Sequence, residues 1–240
     1  MTRDLYPSIQ FDPCPHSNKL LIGFASMQLY QEIPDYEWHG NFSKLDAHRL
    51  YVRDNAQFYY LRGLDGVAAD IDGAVPALRR ITSDIGIAHA ACFGASIGGY
   101  AALLFGNLLG VDEVHAFSPM TILPSRKLIE LLRLVPSQNW KLMMRNLELR
   151  HNRSLERPYR DLRPILARDN GRTVYHIYYG RGHTPDRRNA ERLAGLPRVH
   201  LHPYAYNKHY LVGHLKKSGE LDQIMEEAYR RMSCAQPVAA

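Results

Sequence analysis

The sequence predicts an α/β fold: a mostly parallel, doubly wound sheet carrying one helical insertion. Three observations predict it. Short apolar runs recur between segments of helical spacing, a Gly-Ala-Ser-Ile-Gly turn joins one such run directly to a helix, and the stretch 121–172 breaks the rhythm. Strands that alternate with helices pair in parallel through right-handed crossovers, which puts helices on both faces of the sheet. A chain of 240 residues suits one domain, 1–240, with 121–172 as a cap-like insertion within it.

Lys19 to Ala25 (KLLIGFA) is an apolar run of the kind a strand covered on both faces requires. His48 to Arg53 (HRLYVR) predicts a second strand, stopped by Asp54 and Asn55. Ala68 to Ile81 carries apolar residues at helical spacing, with Gly73 and Pro76 near its start. Ile85 to Phe93 predicts the next strand, and Ile97 to Leu109 a small-residue helix that ends at Gly110. Val111 to Phe117, Thr173 to Tyr179 and Val199 to Tyr204 complete the strands, with a helix over Asp186 to Leu193 between the last two. Leu211 to Met232 closes the chain as a helix, weakened near its start by Gly213 and Gly219. Inside the insertion, Arg126 to Leu134 and Asn139 to Leu149 are helix-like. An insertion after a central strand of such a sheet is expected over the carboxyl ends of the strands.

Apolar residues make up 45% and charged residues 22%, which excludes the disordered and fibrous classes. No run reaches the roughly 20 apolar residues of a membrane span, and residues 1–11 lack a basic segment followed by an apolar one, so a cytoplasmic location is expected. Cys14, Cys92 and Cys234 are too few and too scattered for a disulfide framework or a zinc site, and Cys92, in an apolar run, reads as a buried thiol. The formal charge is +6, and it is concentrated: 12 Lys or Arg stand against 5 Asp or Glu between Thr121 and Arg172. That excess is either a solvated basic surface or a field favouring an anionic substrate, partner or lipid surface. Nothing in the pattern predicts a nucleic-acid partner.

Chemistry is carried by Gly94-Ala95-Ser96-Ile97-Gly98, followed by Gly99. A serine on a strained strand-to-helix turn needs small residues two positions either side so that the backbones can approach. The turn also sets Ser96 and the Ile97 N–H at a helix N-terminus, where developing negative charge is stabilised. A serine hydroxyl needs a histidine to remove its proton and a carboxylate to orient that histidine, and here they should follow in the order acid, then histidine. Asp186, after the Thr173 to Tyr179 strand, is the candidate acid, although its position also fits the N-cap of the next helix. The Phe117-Ser118-Pro119-Met120 strand end offers no carboxylate.

His209 and His214 both follow the last strand and, five residues apart, would point in different directions on one helix, so only one can face Ser96. His209, at the loop-to-helix junction, is the candidate base. His200 and His202 alternate along a strand and read as structural, while His183 and Met27 are candidate substrate contacts. The second oxyanion donor is expected from the loop after the first strand, at the N–H of Ala25 or Ser26. This scheme requires no metal and no cofactor.

Four segments in order make the chain resemble the α/β-hydrolase superfamily outside the insertion, and in particular a group of bacterial hydrolase-like proteins associated with surface polysaccharide genes. They are Cys92 to Gly106 (CFGASIGGYAALLFG), Ala116 to Pro119, Pro185 to Leu193, and His209 with Leu215 to Leu221. The resemblance implies Ser96 as nucleophile, Asp186 as acid and His209 as base. Two departures stand out: Ile97 replaces a methionine frequent in that group, and Gly23 to Met27 lacks the His-Gly of many esterases. The implied activity is cleavage of a carboxylic ester through an acyl-enzyme on Ser96, the substrate being an acylated carbohydrate or another polar or anionic ester. The alternatives are acyl transfer by the same residues, or a non-catalytic binding partner in polysaccharide assembly.

Overall fold

In the computed structural model, residues 3–28, 30–83, 85–123, 140–152 and 157–232 are described. Their strands are β1 (Arg3–Tyr6), β2 (Ile9–Asp12), β3 (Lys19–Phe24), β4 (His48–Val52), β5 (His89–Ala95), β6 (Glu113–Phe117), β7 (Val174–Gly180) and β8 (Val199–Tyr204). They form one sheet in the order β1-β2-β4-β3-β5-β6-β7-β8. From β4 through β8 all neighbours pair in parallel, while β1 and β2 add an antiparallel edge.

The helices are α1 (His39–Phe42), α2 (Ile71–Ser83), α3 (Ile97–Leu109), α4 (Trp140–His151), α5 (Leu162–Leu166), α6 (Thr184–Glu191), α7 (Leu211–Ser218) and α8 (Glu220–Arg231). β3 is buried along its whole length, as its unbroken apolar run requires. α3 is buried from Ile97 to Gly106 and lies on one face of the sheet with α2 and α5, around Phe24, Tyr60 and Phe105. The other face is covered by Trp38, Phe42 and the apolar sides of α7 and α8. β5 and α3 run through the middle of this arrangement, so the turn between them opens at the carboxyl ends of the parallel strands.

Several expected boundaries move for local reasons. The β1–β2 hairpin was not expected: RDLY does not alternate, and IQFD alternates over only four residues, the shortest run that signals a strand. α2 begins at Ile71, where the Asp70 carboxylate accepts from the Gly73 N–H at 2.7 Å, and it tolerates Pro76 within its length. β5 begins only at His89, after a turn at Gly86 with φ 66°. The C-terminal helix divides at Gly219, whose φ is 78°. In the insertion, α4 matches the expected second helix, while Arg126 to Leu134 lies outside the described residues. The buried Tyr59 hydroxyl donates to Asn146 of α4, and Arg62 pairs with Glu148, which ties this segment to the loop after β4. No helix among the described residues is long and apolar enough to cross a membrane.

Candidate active site

Ser96 lies between β5 and α3 with φ 52° and ψ −115°, outside the ordinary helical and extended regions. The glycines around it permit that turn. A Cβ on Gly94 would stand 2.0 Å from the Gly98 carbonyl oxygen, and one on Gly98 would stand 2.4 Å from the Phe24 oxygen of β3. The Ser96 N–H is anchored to the Phe117 carbonyl at 2.9 Å, and the Ile97 N–H is one of the first amides of α3, which have no acceptor within the helix.

The three side chains expected to act together meet here. His209 Nε2 is 2.9 Å from Ser96 Oγ, and His209 Nδ1 is 2.8 Å from Asp186 Oδ1. A carboxylate only accepts, so the ring proton belongs on Nδ1, which leaves Nε2 to accept from the serine hydroxyl. Asp186 is buried in the first turn of α6, whereas the His209 side chain is 48% exposed at the mouth of the site. The loop bearing His209 reaches Asp186 because Gly182 leaves room: its N–H donates to the Tyr206 carbonyl at 2.9 Å, and a Cβ there would stand 2.8 Å from that of Asn207. His214 takes no part, its ring stacking on Tyr206 at 4.7 Å between centroids. His200 and His202 stack on His176 on one face of the sheet.

Ala25 departs from expectation. Its N–H donates to the Val52 carbonyl at 2.9 Å and is not available to an oxyanion, because β4 extends far enough beside β3 to claim it. The Ser26 N–H is engaged as well, since both it and the hydroxyl are turned toward the Glu37 carboxylate, so neither expected loop donor is free. Glu37 was not singled out from the sequence, where it is one acidic residue in a polar loop with no spacing that ties it to Ser96. Burial pushes its carboxyl above the usual range, against the hydrogen bonds from Ser26 and Gln28. His183, a candidate substrate contact, has its Nδ1 3.0 Å from Asp186 Oδ1 and its ring 5.6 Å from that of His209.

A cavity of about 420 Å³ opens onto Ser96 and His209. Met27, Trp38 and Phe117 give it an apolar wall, and Glu37, Asn41 and Lys216 a polar one. A serine hydroxyl and an imidazole facing such a cavity, beside a helix N-terminus, are groups that can support addition to a carbonyl carbon.

No model of a protein family matches the chain, and neither does any curated protein. Solved structures do. A capsule O-acetyltransferase of Neisseria meningitidis serogroup A shares 14% identity, with 92% of this chain and 94% of that one covered and a TM-score of 0.62. A structure from work on carboxylesterases of the thaumarchaeon Nitrososphaera gargenis shares 12%, with 94% of each chain covered and a TM-score of 0.59. MenH from S. aureus shares 14%, with 95% and 99% covered and a TM-score of 0.56. At such identities the likeness is one of architecture, and together with the strand order it gives this chain the α/β-hydrolase fold.

Proposed function

We propose that the chain is a serine acyl hydrolase in which Ser96 is the nucleophile, His209 the general base and Asp186 the carboxylate that orients the imidazole. The observation that carries the proposal is the continuous line of contacts from Asp186 through both nitrogens of His209 to Ser96 Oγ, at 2.8 Å and 2.9 Å. Ser96 Oγ adds to the ester carbonyl carbon while its proton passes to His209 Nε2. The negative oxygen so formed is met by the Ile97 N–H at the start of α3. Collapse expels the alcohol, which takes the proton from Nε2, and a water repeats the sequence on the acyl-enzyme.

The mixed lining of the cavity supports an ester joining a short acyl group to a hydroxyl-rich alcohol such as a carbohydrate. Of the expected insertion 121–172, α5 packs on the sheet face beside α3, and the part before it is proposed as a cap within a single domain, joined to the loop after β4 through Asn146 and Glu148. Incubation with short nitrophenyl esters tests the proposal. Ser96→Ala and His209→Ala should each lower kcat by a factor on the order of 10³ or more, and a fluorophosphonate should label only chains that retain Ser96. Equal rates in all three proteins would refute it.

Acyl transfer to a sugar hydroxyl is a second reading, favoured by the likeness to the capsule O-acetyltransferase, a mutant of which is described in complex with CoA. Product analysis with and without a polysaccharide acceptor separates the two. An acylated acceptor in place of free acid favours transfer.

A further inference from the structure

Asp186 holds more than one imidazole. Its Oδ1 lies 2.8 Å from His209 Nδ1 and 3.0 Å from His183 Nδ1. Only the first contact is a hydrogen bond: His183 Nδ1 and Asp186 Oδ2 are both buried without a hydrogen-bond partner. Two nitrogens and one carboxylate oxygen, all within 4.8 Å of one another, are thus gathered at a point where a 5%-exposed acid keeps an unused oxygen.

We infer that His183, Asp186 and His209 form a binding site for a borderline-soft divalent cation such as zinc, and that the bound ion switches the catalytic serine off. The donor set of two imidazoles and a carboxylate is one that zinc accepts, with a fourth position left for water. Zinc bonds of about 2.0–2.1 Å set tetrahedral ligands roughly 3.3 Å apart. The two separations from Asp186 Oδ1 need to open by a few tenths of an ångström and the two ring nitrogens, within 4.8 Å of one another, to settle at that spacing, which the two partly exposed rings allow.

A second cluster, Glu113, His115 and His176, is equally close-set, but it lacks this capacity. The Arg231 guanidinium bonds both Glu113 oxygens, at 2.7 and 2.9 Å, so an ion there would meet a fixed positive charge.

The consequence for the serine follows from the tautomer. A neutral imidazole with a metal on Nδ1 carries its one proton on Nε2, the nitrogen 2.9 Å from Ser96 Oγ, and has no lone pair with which to take the hydroxyl proton. This part of the inference rests on the proposed role of His209 as base.

The test is a calorimetric titration of zinc into the metal-stripped full chain near neutral pH, beside Ser96→Ala, His183→Ala and His183→Gln, with fluorophosphonate labelling of Ser96 followed with and without the ion. Wild type and Ser96→Ala should bind zinc alike, and both His183 variants at least about tenfold more weakly. Zinc should suppress labelling of the wild type, and a chelator should restore it. Equal zinc affinity in the wild type and both His183 variants, or undiminished labelling at saturating zinc, overturns the inference. Should zinc bind through His183 while Ser96 stays unlabelled in the metal-free chain, the cation site stands and the serine-hydrolase proposal falls.

Discussion

Ser96 at φ 52° occupies a conformation that costs a non-glycine residue on the order of 1–3 kcal/mol and persists only where its surroundings impose it. Here they do, through the backbone approaches at Gly94 and Gly98 and the anchoring of the Ser96 N–H. Those glycines were legible in the sequence because spacing alone expresses a steric need. The choice of His209 over His214 was legible too, since two histidines five residues apart cannot both face one point. Glu37 was not legible, because only the fold brings its loop against Ser26. It defines a prediction: Glu37 is a positioning residue that holds the Ser26 and Met27 wall of the cavity beside Ser96. Glu37→Ala should lower kcat by about tenfold to a hundredfold with KM little changed, and Glu37→Gln, which keeps an acceptor for Ser26, should recover most of the loss. If the two variants are equally impaired, the carboxylate acts by its charge and not by holding the loop.

At the scale of elements, the strands read most directly were those with a single environment. β3 and the core of β5 are buried on both faces and appear as apolar runs, whereas β1 does not alternate and β2 alternates over only four residues. The close of the chain illustrates the limit of a pattern argument. Apolar spacing continues from Leu211 to Met232, and Gly219 showed only as a weak point, yet it is the αL C-cap of α7 and the residue from which α8 starts. An alanine there would have to adopt φ 78° or straighten the junction, with nothing else within 4 Å of its Cβ. Gly219→Ala should therefore lower stability by about 1 kcal/mol, seen as a lower urea midpoint at unchanged slope, while activity per folded molecule stays the same. A variant as stable as the wild type would show that the break is set by packing and not by the glycine.

For the whole molecule, the face of the sheet covered by α8 is built from titratable rings. Phe93, His115, His176 and His202 come from four neighbouring strands and stack at 4.8, 4.9 and 5.3 Å between successive centroids. Their nitrogens meet Tyr178, Glu113 and one another, and Arg231 of α8 closes the cluster. Burial first, then the charge on neighbouring imidazoles, holds His176 down to about 3, and burial lowers His115 and His202 as well. Glu113 sits at about 2: burial opposes its ionisation, but hydrogen bonds from His115 and Arg231 outweigh that. These histidines are neutral in the fold and titrate near 6.5 once it opens, so the unfolded chain takes up protons first as pH falls. Stability is then complete above about pH 6.5 and declines below it, and for His176 the decline continues toward pH 3 at up to about 1.4 kcal/mol per pH unit. Glu113 adds to the decline between its unfolded value near 4.5 and about 2. Urea midpoints measured from about pH 8 down to pH 4 should fall from pH 6.5 onward, well above the range where carboxylates alone would act. His176→Phe, which keeps a ring in the stack without a titrating nitrogen, should flatten that fall. A midpoint level between pH 6.5 and 5 would mean that the rings carry their protons within the folded chain.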